Sequence, residues 1–220
     1  MGERRSSRNG LVTRDRILDA VLRTVRDEGL VGTSVRQIAR TGGFNQALIF
    51  YHFGSVDELL LAALERANER RIACFRDRLE AVSSLTDLVR VAVDLHAPAD
   101  ADECNYSALS AIVAGWSTNN ELGPRVLEIL RPWDDLVVGA LRRSLQGTPF
   151  AQLATCEHLA HAVSALFLGI ELLSRLEGDG GQAAGGLFAS LEDAADAVNP
   201  LLHALAGAAR PGTSTPGDLG

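Results

Sequence analysis

Between residues 34 and 53 the chain reads SVRQIARTGGFNQALIFYHF, and this stretch gathers side chains suited to gripping a phosphate and reading a base edge. Ser34 and Asn45 each stand just ahead of a short helical pattern, where their side chains cap the helix. The backbone amides at such a helix start favour an anion, because unsatisfied N–H groups and the helix dipole point the same way. Arg36 falls in the first turn of its helix, where the dipole disfavours a cation. A phosphate or a guanine edge as partner would offset that local cost. Gln46 and Ala47 open the second helix; Gln can pair with adenine, whereas Ala can touch only a thymine methyl. A second cluster suggests different chemistry. Cys156, Glu157, His158 and His161 lie within one short stretch, His158 and His161 share a helix face, and zinc takes Cys and His ligands. A metal-binding sensor or metal-dependent enzyme using Cys156, His158 and His161 is therefore the alternative from another functional class. It needs further ligands from elsewhere, and no partner motif supplies them. HExxH, GxSxG, Walker and dinucleotide-binding patterns are missing from the sequence. The leading expectation is accordingly a protein with no enzymatic activity, no cofactor and no metal.

The elements that must position the first cluster can be read from spacing. Ser34 followed by Gln37 fits a capping box, each side chain satisfying the other's backbone N–H. Val35, Ile38 and Ala39 then share an apolar face, and Gly42-Gly43 ends the helix. The next helix, Gln46 to His52, buries Ile49 and Phe53. Two short helices around a glycine turn suggest a helix-turn-helix, whose second helix enters the major groove, rather than an ordinary helical hairpin. Upstream, a helix from Thr13 to about Glu28 carries Ile17, Leu18, Val21, Leu22 and Val25 at helical spacing and stops at Gly29; Leu30, Val31 and Val35 should close the small core. Ser55 with Glu58 fits a second capping box. It opens a helix of some 25 residues, nearly 40 Å long at about 1.5 Å per residue. Leu59, Leu60, Ala63, Leu64, Ala67, Ile72, Phe75 and Leu79 form its apolar stripe, with Arg70, Arg71, Arg76 and Arg78 expected in solvent or in ion pairs.

This order of helices resembles the DNA-binding head of the TetR/AcrR family of bacterial transcriptional regulators. The matching residues are Ile17, Leu18 and Ala20, then Gly29, Ser34 to Ala39, Gly43, and Phe50-Tyr51-His52-Phe53 followed by Ser55, Glu58 and Leu59. The aromatic-Tyr-His-Phe run is the most specific part, and the resemblance covers roughly residues 11 to 62. It implies an all-α fold: an N-terminal three-helix helix-turn-helix DNA-binding domain plus a larger C-terminal helical ligand-binding and dimerisation domain. It also implies base contacts at Gln46 and Ala47 and phosphate contacts at Tyr51 and His52, with Ser34, Arg36, Asn45, Leu48 and Phe50 in the same DNA-binding set. Three positions depart from the family pattern. Phe50 replaces a frequent Tyr, Leu48 a small hydroxyl residue, and Val56 a phosphate-binding lysine. The phosphate grip is then weaker, or shared with Arg40 and the N-terminal arm.

Charge is divided in the same sense. Residues 1–55 carry a net +4 and the remainder a net −11, giving −7 overall, and every cation is arginine. A basic head on an acidic body suits a DNA-binding module joined to a domain that does not bind DNA, because phosphate neutralisation drives much of the affinity. No apolar run reaches the ~18 residues that span a bilayer, and the N-terminus lacks an apolar segment behind its arginines, so neither a membrane segment nor a secretory signal is expected. Three cysteines, Cys74, Cys104 and Cys156, without framework spacing fit reduced thiols and a cytoplasmic protein.

We divide the chain into a flexible arm (1–11), the DNA-binding domain (12–55), a helical effector-binding and dimerisation domain (56–206) and a disordered tail (207–220). In the body, helices are expected over 84–96, 106–116, 121–145 with interruptions near Pro124 and Pro132, within the apolar stretch 149–176, and over 187–205 with a break at Pro200. An acidic loop is expected at 98–103 and a glycine loop at 178–186. His96, Tyr106, Ile112, Trp116, Trp133 and Phe167 are candidates to line a pocket for a small apolar or amphipathic effector. Leu159, Val163, Leu166, Leu191 and Val198 lie on stripes too apolar to face solvent, and by the resemblance they form a homodimer interface. The partner would be double-stranded DNA with a palindromic operator, and repression by a ligand-released dimer is the leading reading, with activation by the same fold as its alternative.

Overall fold

The computed structural model describes residues 2–96, 106–116, 121–146, 148, 155–177 and 182–208. Among these, every regular element is an α-helix: α1 Gly2–Glu28, α2 Val35–Gly42, α3 Gln46–Phe53, α4 Val56–Ala81, α5 Leu85–His96, α6 Tyr106–Gly115, α7 Gly123–Leu145, α8 Cys156–Glu177 and α9 Gln182–Ala208.

The head forms where its apolar stripes meet. Ile17, Leu18, Val21, Leu22 and Val25 of α1 are buried against Ile38 and Ala39 of α2, Ile49 and Phe53 of α3, and Leu59 of α4. Two ion pairs, Arg66–Asp15 at 3.3 Å and Arg70–Asp19, fasten α4 along α1. Leu30 and Val35 pack on this core as expected, but Val31 is fully exposed, in the turn that follows Gly29. Residues 2–11, expected as a flexible arm, continue α1 toward its N-terminus; no proline breaks that stretch.

Both capping boxes form only in half. Ser34 Oγ accepts from the Gln37 N–H at 3.2 Å, yet the Gln37 amide reaches back to the Glu28 carboxylate and ties α2 to the end of α1. Ser55 Oγ accepts from the Glu58 N–H at 3.1 Å, while the Glu58 carboxylate turns to Arg125 of α7. The reciprocal box stands instead at Ser84 and Asp87, where hydroxyl and carboxylate each cap the other's amide at 3.1 and 3.0 Å. Hydrogen bonds from Ser84 and Ser83 hold the Asp87 carboxyl below its ordinary value.

The turn between α2 and α3 depends on its glycines for two separate reasons. Gly43 sits at φ 66, ψ 40, a left-handed backbone that a Cβ disfavours. Gly42 has an ordinary φ, but a Cβ there would fall 1.9 Å from the Phe44 ring. Because the Gly43 position is open to solvent, Gly43→Ala carries a backbone penalty alone, an expected loss of about 1–2 kcal/mol, read as a lowered melting temperature.

In the body, α7 runs unbroken from Gly123 to Leu145, and the interruptions expected at its prolines do not occur. Pro124 lies in the first turn, where a missing N–H is harmless, and Pro132 is carried inside the helix. α9 likewise runs through Pro200 and begins at Gln182, inside the expected glycine loop. The acidic loop at 98–103 and nearly all of the tail from 207 lie outside the described residues. Cys74 is disulfide-bonded and only Cys156 is free among the described cysteines, so the expectation of reduced thiols throughout fails at Cys74. Cys156–Ser174 is long and apolar enough on average to cross a membrane by length and composition alone, though Glu157, His158, His161 and Glu171 interrupt its apolar run. In the fold it packs Ala160, Phe167 and Ile170 into the core of the helical body.

Candidate nucleic-acid interface

α3 separates its two faces sharply. Ile49 is 0% exposed and Phe53 8%, and these two anchor the helix on the head core. Tyr51 is 82% exposed and Phe50 48%, with Gln46 and Ala47 exposed at the helix start. Asn45 caps that start, its Oδ1 accepting from the Ala47 N–H at 2.9 Å. Arg36, Arg40, Asn45 and Gln46 border one shallow hollow on the outer side of α2 and α3. A backbone phosphate placed there would meet two guanidinium groups near a helix N-terminus, the combination that holds anions. Ser34 is exposed at the start of α2.

Two members of the expected set sit differently. Leu48 is half-buried and packs on the head core, so its side chain belongs in part to the fold. His52 is also half-buried, its ring edge-on to Tyr51 with centroids 5.1 Å apart. It borders a cleft of about 780 Å³ between head and body, with Arg14, Glu58 and Arg125. Across this cleft Arg125 of α7 grips the Glu58 carboxylate with both amines, at 2.5 and 2.9 Å. That hydrogen bond lowers the Glu58 pKa below its ordinary 4.5. A lowered carboxyl stabilises at neutral pH and loses its effect as pH falls through its folded value. The pair is exposed, so its worth is small, but it is a direct link between the start of α4 and α7.

The body contains an apolar cavity of about 240 Å³ enclosed by α4, α5, α7, α8 and α9. Trp133 and Phe167, two of the residues singled out from the sequence, line it. Ile112 and Trp116 are buried core residues away from its wall, and the side chains of His96 and Tyr106 lie outside those described. Arg71 is the residue that sequence reading misplaced. It is 5% exposed, with its guanidinium 4.1 Å over the Trp133 ring and in the cavity wall. Asn68 is buried beside it. The signal was present: positions 64, 68, 71 and 75 lie on one helix face, so Asn68 and Arg71 interrupt an otherwise apolar stripe.

Of the residues expected at an interface, Leu166, Leu191 and Val198 are exposed on α8 and α9. Leu159 and Val163 are half-buried, and Val163, Leu166 and Leu191 also border the cavity. Cys156, His158 and His161 form no metal-ligating group, and none exists among the described residues. Glu157 pairs with Arg142 of α7, and its carboxyl is held below its ordinary value by a backbone hydrogen bond first and by the Arg142 charge second.

Comparison with known proteins places the head. Residues 17–63 match the model of the bacterial regulatory proteins, tetR family. The HTH-type transcriptional regulator BetI of Rhizobium meliloti (strain 1021) is 40% identical over 53 residues, 24% of this chain and 26% of that protein. The HTH-type transcriptional repressor NicS of Pseudomonas putida is 27% identical over 134 residues, 59% of this chain and 60% of that protein. The chain thus spans less than two thirds of these curated relatives, which are named as transcriptional regulators and not as enzymes. The multidrug binding protein EbrR, solved in complex with imidazole, shares the fold at TM-score 0.58 and 21% identity over 92% of this chain and 98% of that one. Residues 17–63 therefore match the bacterial regulatory proteins of the tetR family, and the chain as a whole shares its all-α fold with EbrR.

Proposed function

We propose that the protein is a cytoplasmic homodimeric repressor, released from a palindromic DNA operator by a small apolar or amphipathic effector bound in its body. The observation that carries the reading is the outer face of α3. Gln46, Ala47, Phe50 and Tyr51 are exposed together beside Arg36 and Arg40, while Ile49 and Phe53 hold the helix from behind. Residues 12–55 would bind DNA, and 56–206 would bind the effector and dimerise. Leu166, Leu173, Leu187, Leu191, Val198 and Leu201 leave apolar surface exposed on α8 and α9, and a second copy is the partner a two-fold operator requires. NicS is named as a repressor and EbrR is named as a multidrug binding protein, which supports repression and ligand binding in this chain too. Ligand in the cavity would favour a state whose two recognition helices no longer match the half-site spacing.

Mobility shift against the DNA flanking the protein's own gene, at two salt concentrations, tests this. Saturable, salt-sensitive binding of two chains to one palindromic segment is expected. Arg36→Ala and Tyr51→Ala should each weaken that binding roughly tenfold, on the order of 1–3 kcal/mol per contact, with dimer and melting temperature unchanged. Equal, weak binding to every fragment would reduce the head to a generic basic surface.

A further inference from the structure

The body cavity carries more information than its size. Its wall comes from five helices and is made of Leu, Val, Ala, Trp and Phe side chains, with Ser164 and Arg71 as the polar exceptions among the described lining residues. Ser164 has its hydroxyl engaged, donating to Asp134 Oδ1 at 2.8 Å. Arg71 is the charged group of the wall, and it is held in place. One face of its guanidinium lies on Trp133, and Nη2 donates to Asn68 Oδ1 at 2.7 Å. Asn68 is fixed in turn, its Nδ2 donating to the Ile129 carbonyl at 2.7 Å.

We propose that this cavity binds an amphipathic anion, with a carboxylate set against Arg71 and a short to medium apolar chain filling the rest. The inference rests on the reading of the body as an effector domain and names the chemical class of that effector. Guanidinium stays charged in any protein setting and presents several donors in a planar fork that matches a carboxylate. In an apolar surround its field is poorly screened, so an anion is favoured there and a cation repelled. The carboxylate joins the contacts Arg71 already makes, and the pre-fixed geometry spares the ordering of a long side chain on binding. At about 240 Å³ the cavity lies below the ~300–1,000 Å³ usual for drug-sized ligands. A chain of roughly eight carbons is therefore a better probe than a long acyl group.

The test uses the full chain and three probes of one length: octanoate, octan-1-ol and octylammonium, titrated by calorimetry and by quenching of tryptophan fluorescence. Octanoate should bind about tenfold or more tightly than octan-1-ol, the margin a charge-assisted hydrogen bond supplies, and octylammonium should bind weakest. In Arg71→Met the octanoate preference should vanish while octan-1-ol affinity is kept, and Arg71→Lys should retain part of the preference. The three-probe comparison in the unaltered protein stands even if Arg71→Met fails to fold. Equal affinity for octanoate and octan-1-ol, or tighter binding of octylammonium, would overturn the anion assignment and leave an apolar effector site. If no probe binds, the cavity is simply core, and both the inference and effector binding in it fall; operator binding, measured without ligand, would be untouched.

Discussion

Ile49→Ala should destabilise the protein by about 2–5 kcal/mol and abolish specific DNA binding with it. Tyr51→Ala, two residues on, should impair DNA binding and leave the melting temperature in place. The contrast follows from one turn of one helix. Ile49 is 0% exposed at the junction of α1, α2 and α3, where deleting three carbons leaves a cavity that a close-packed core fills poorly. α3 spans only eight residues and is held to the head through Ile49, Phe53 and the half-buried Leu48. Removing the middle anchor loosens the helix that must present Gln46 and Ala47, and the loss is a large fraction of the ~5–15 kcal/mol by which a domain is stable. Tyr51 points outward at 82% exposure, and its recorded ring contact is the edge-on approach to His52. Thermal unfolding by circular dichroism and a mobility shift on the same samples separate the two. A stable, DNA-binding Ile49→Ala would mean α3 is held mainly by its caps; a Tyr51→Ala that melts early would place Tyr51 in the fold.

The head was legible because its signals are local. A cap, a glycine in a left-handed turn and apolar residues at helical spacing all act within a few positions, so α2, α3 and the start of α4 fall where the sequence puts them. What escaped was set by partners far along the chain. The Gln37 and Glu58 side chains fit capping boxes by spacing, but Glu28 and Arg125 outcompete the backbone for them. Pro132 reads as a break, yet α7 is held against α4 on both sides of it, by Asn68 at Ile129 and by Arg71 on the Trp133 ring. Arg71 reads as a solvated charge because arginine usually is one, and only its place within the stripe of Leu64 and Phe75 marks it as buried. The exposed leucines of α8 and α9 were legible as apolar faces, but periodicity does not distinguish a core from a surface awaiting a partner.

Asn68→Ala should cost about 1–3 kcal/mol, because it removes the side-chain donor to the Ile129 carbonyl and the acceptor for the buried Arg71 Nη2. Asn68 stands at the crossing of α4 and α7, 3% exposed, donating to the Ile129 carbonyl and accepting from Arg71. The carbonyl matters because of Pro132. Proline lacks the N–H that would bond the Glu128 carbonyl, and its ring crowds that turn. The neighbouring Ile129 carbonyl then takes a donor from α4, which fastens α7 at its weakest turn. The same α7 segment, from Gly123 to the proline, carries Arg125 and its link to Glu58 beside the head. Asn68→Asp separates the two roles, since a carboxylate still accepts from Arg71 but offers the Ile129 carbonyl no donor. It should therefore keep the Arg71–Trp133 stacking, seen as an unchanged near-ultraviolet tryptophan signal, while lowering the urea midpoint; Asn68→Ala should lose both. If Asn68→Ala lowers the unfolding free energy by less than about 0.5 kcal/mol, the range of an ordinary surface substitution, then α7 is held by its apolar face alone. Arg71 would then owe its position to other contacts, the Trp133 ring among them.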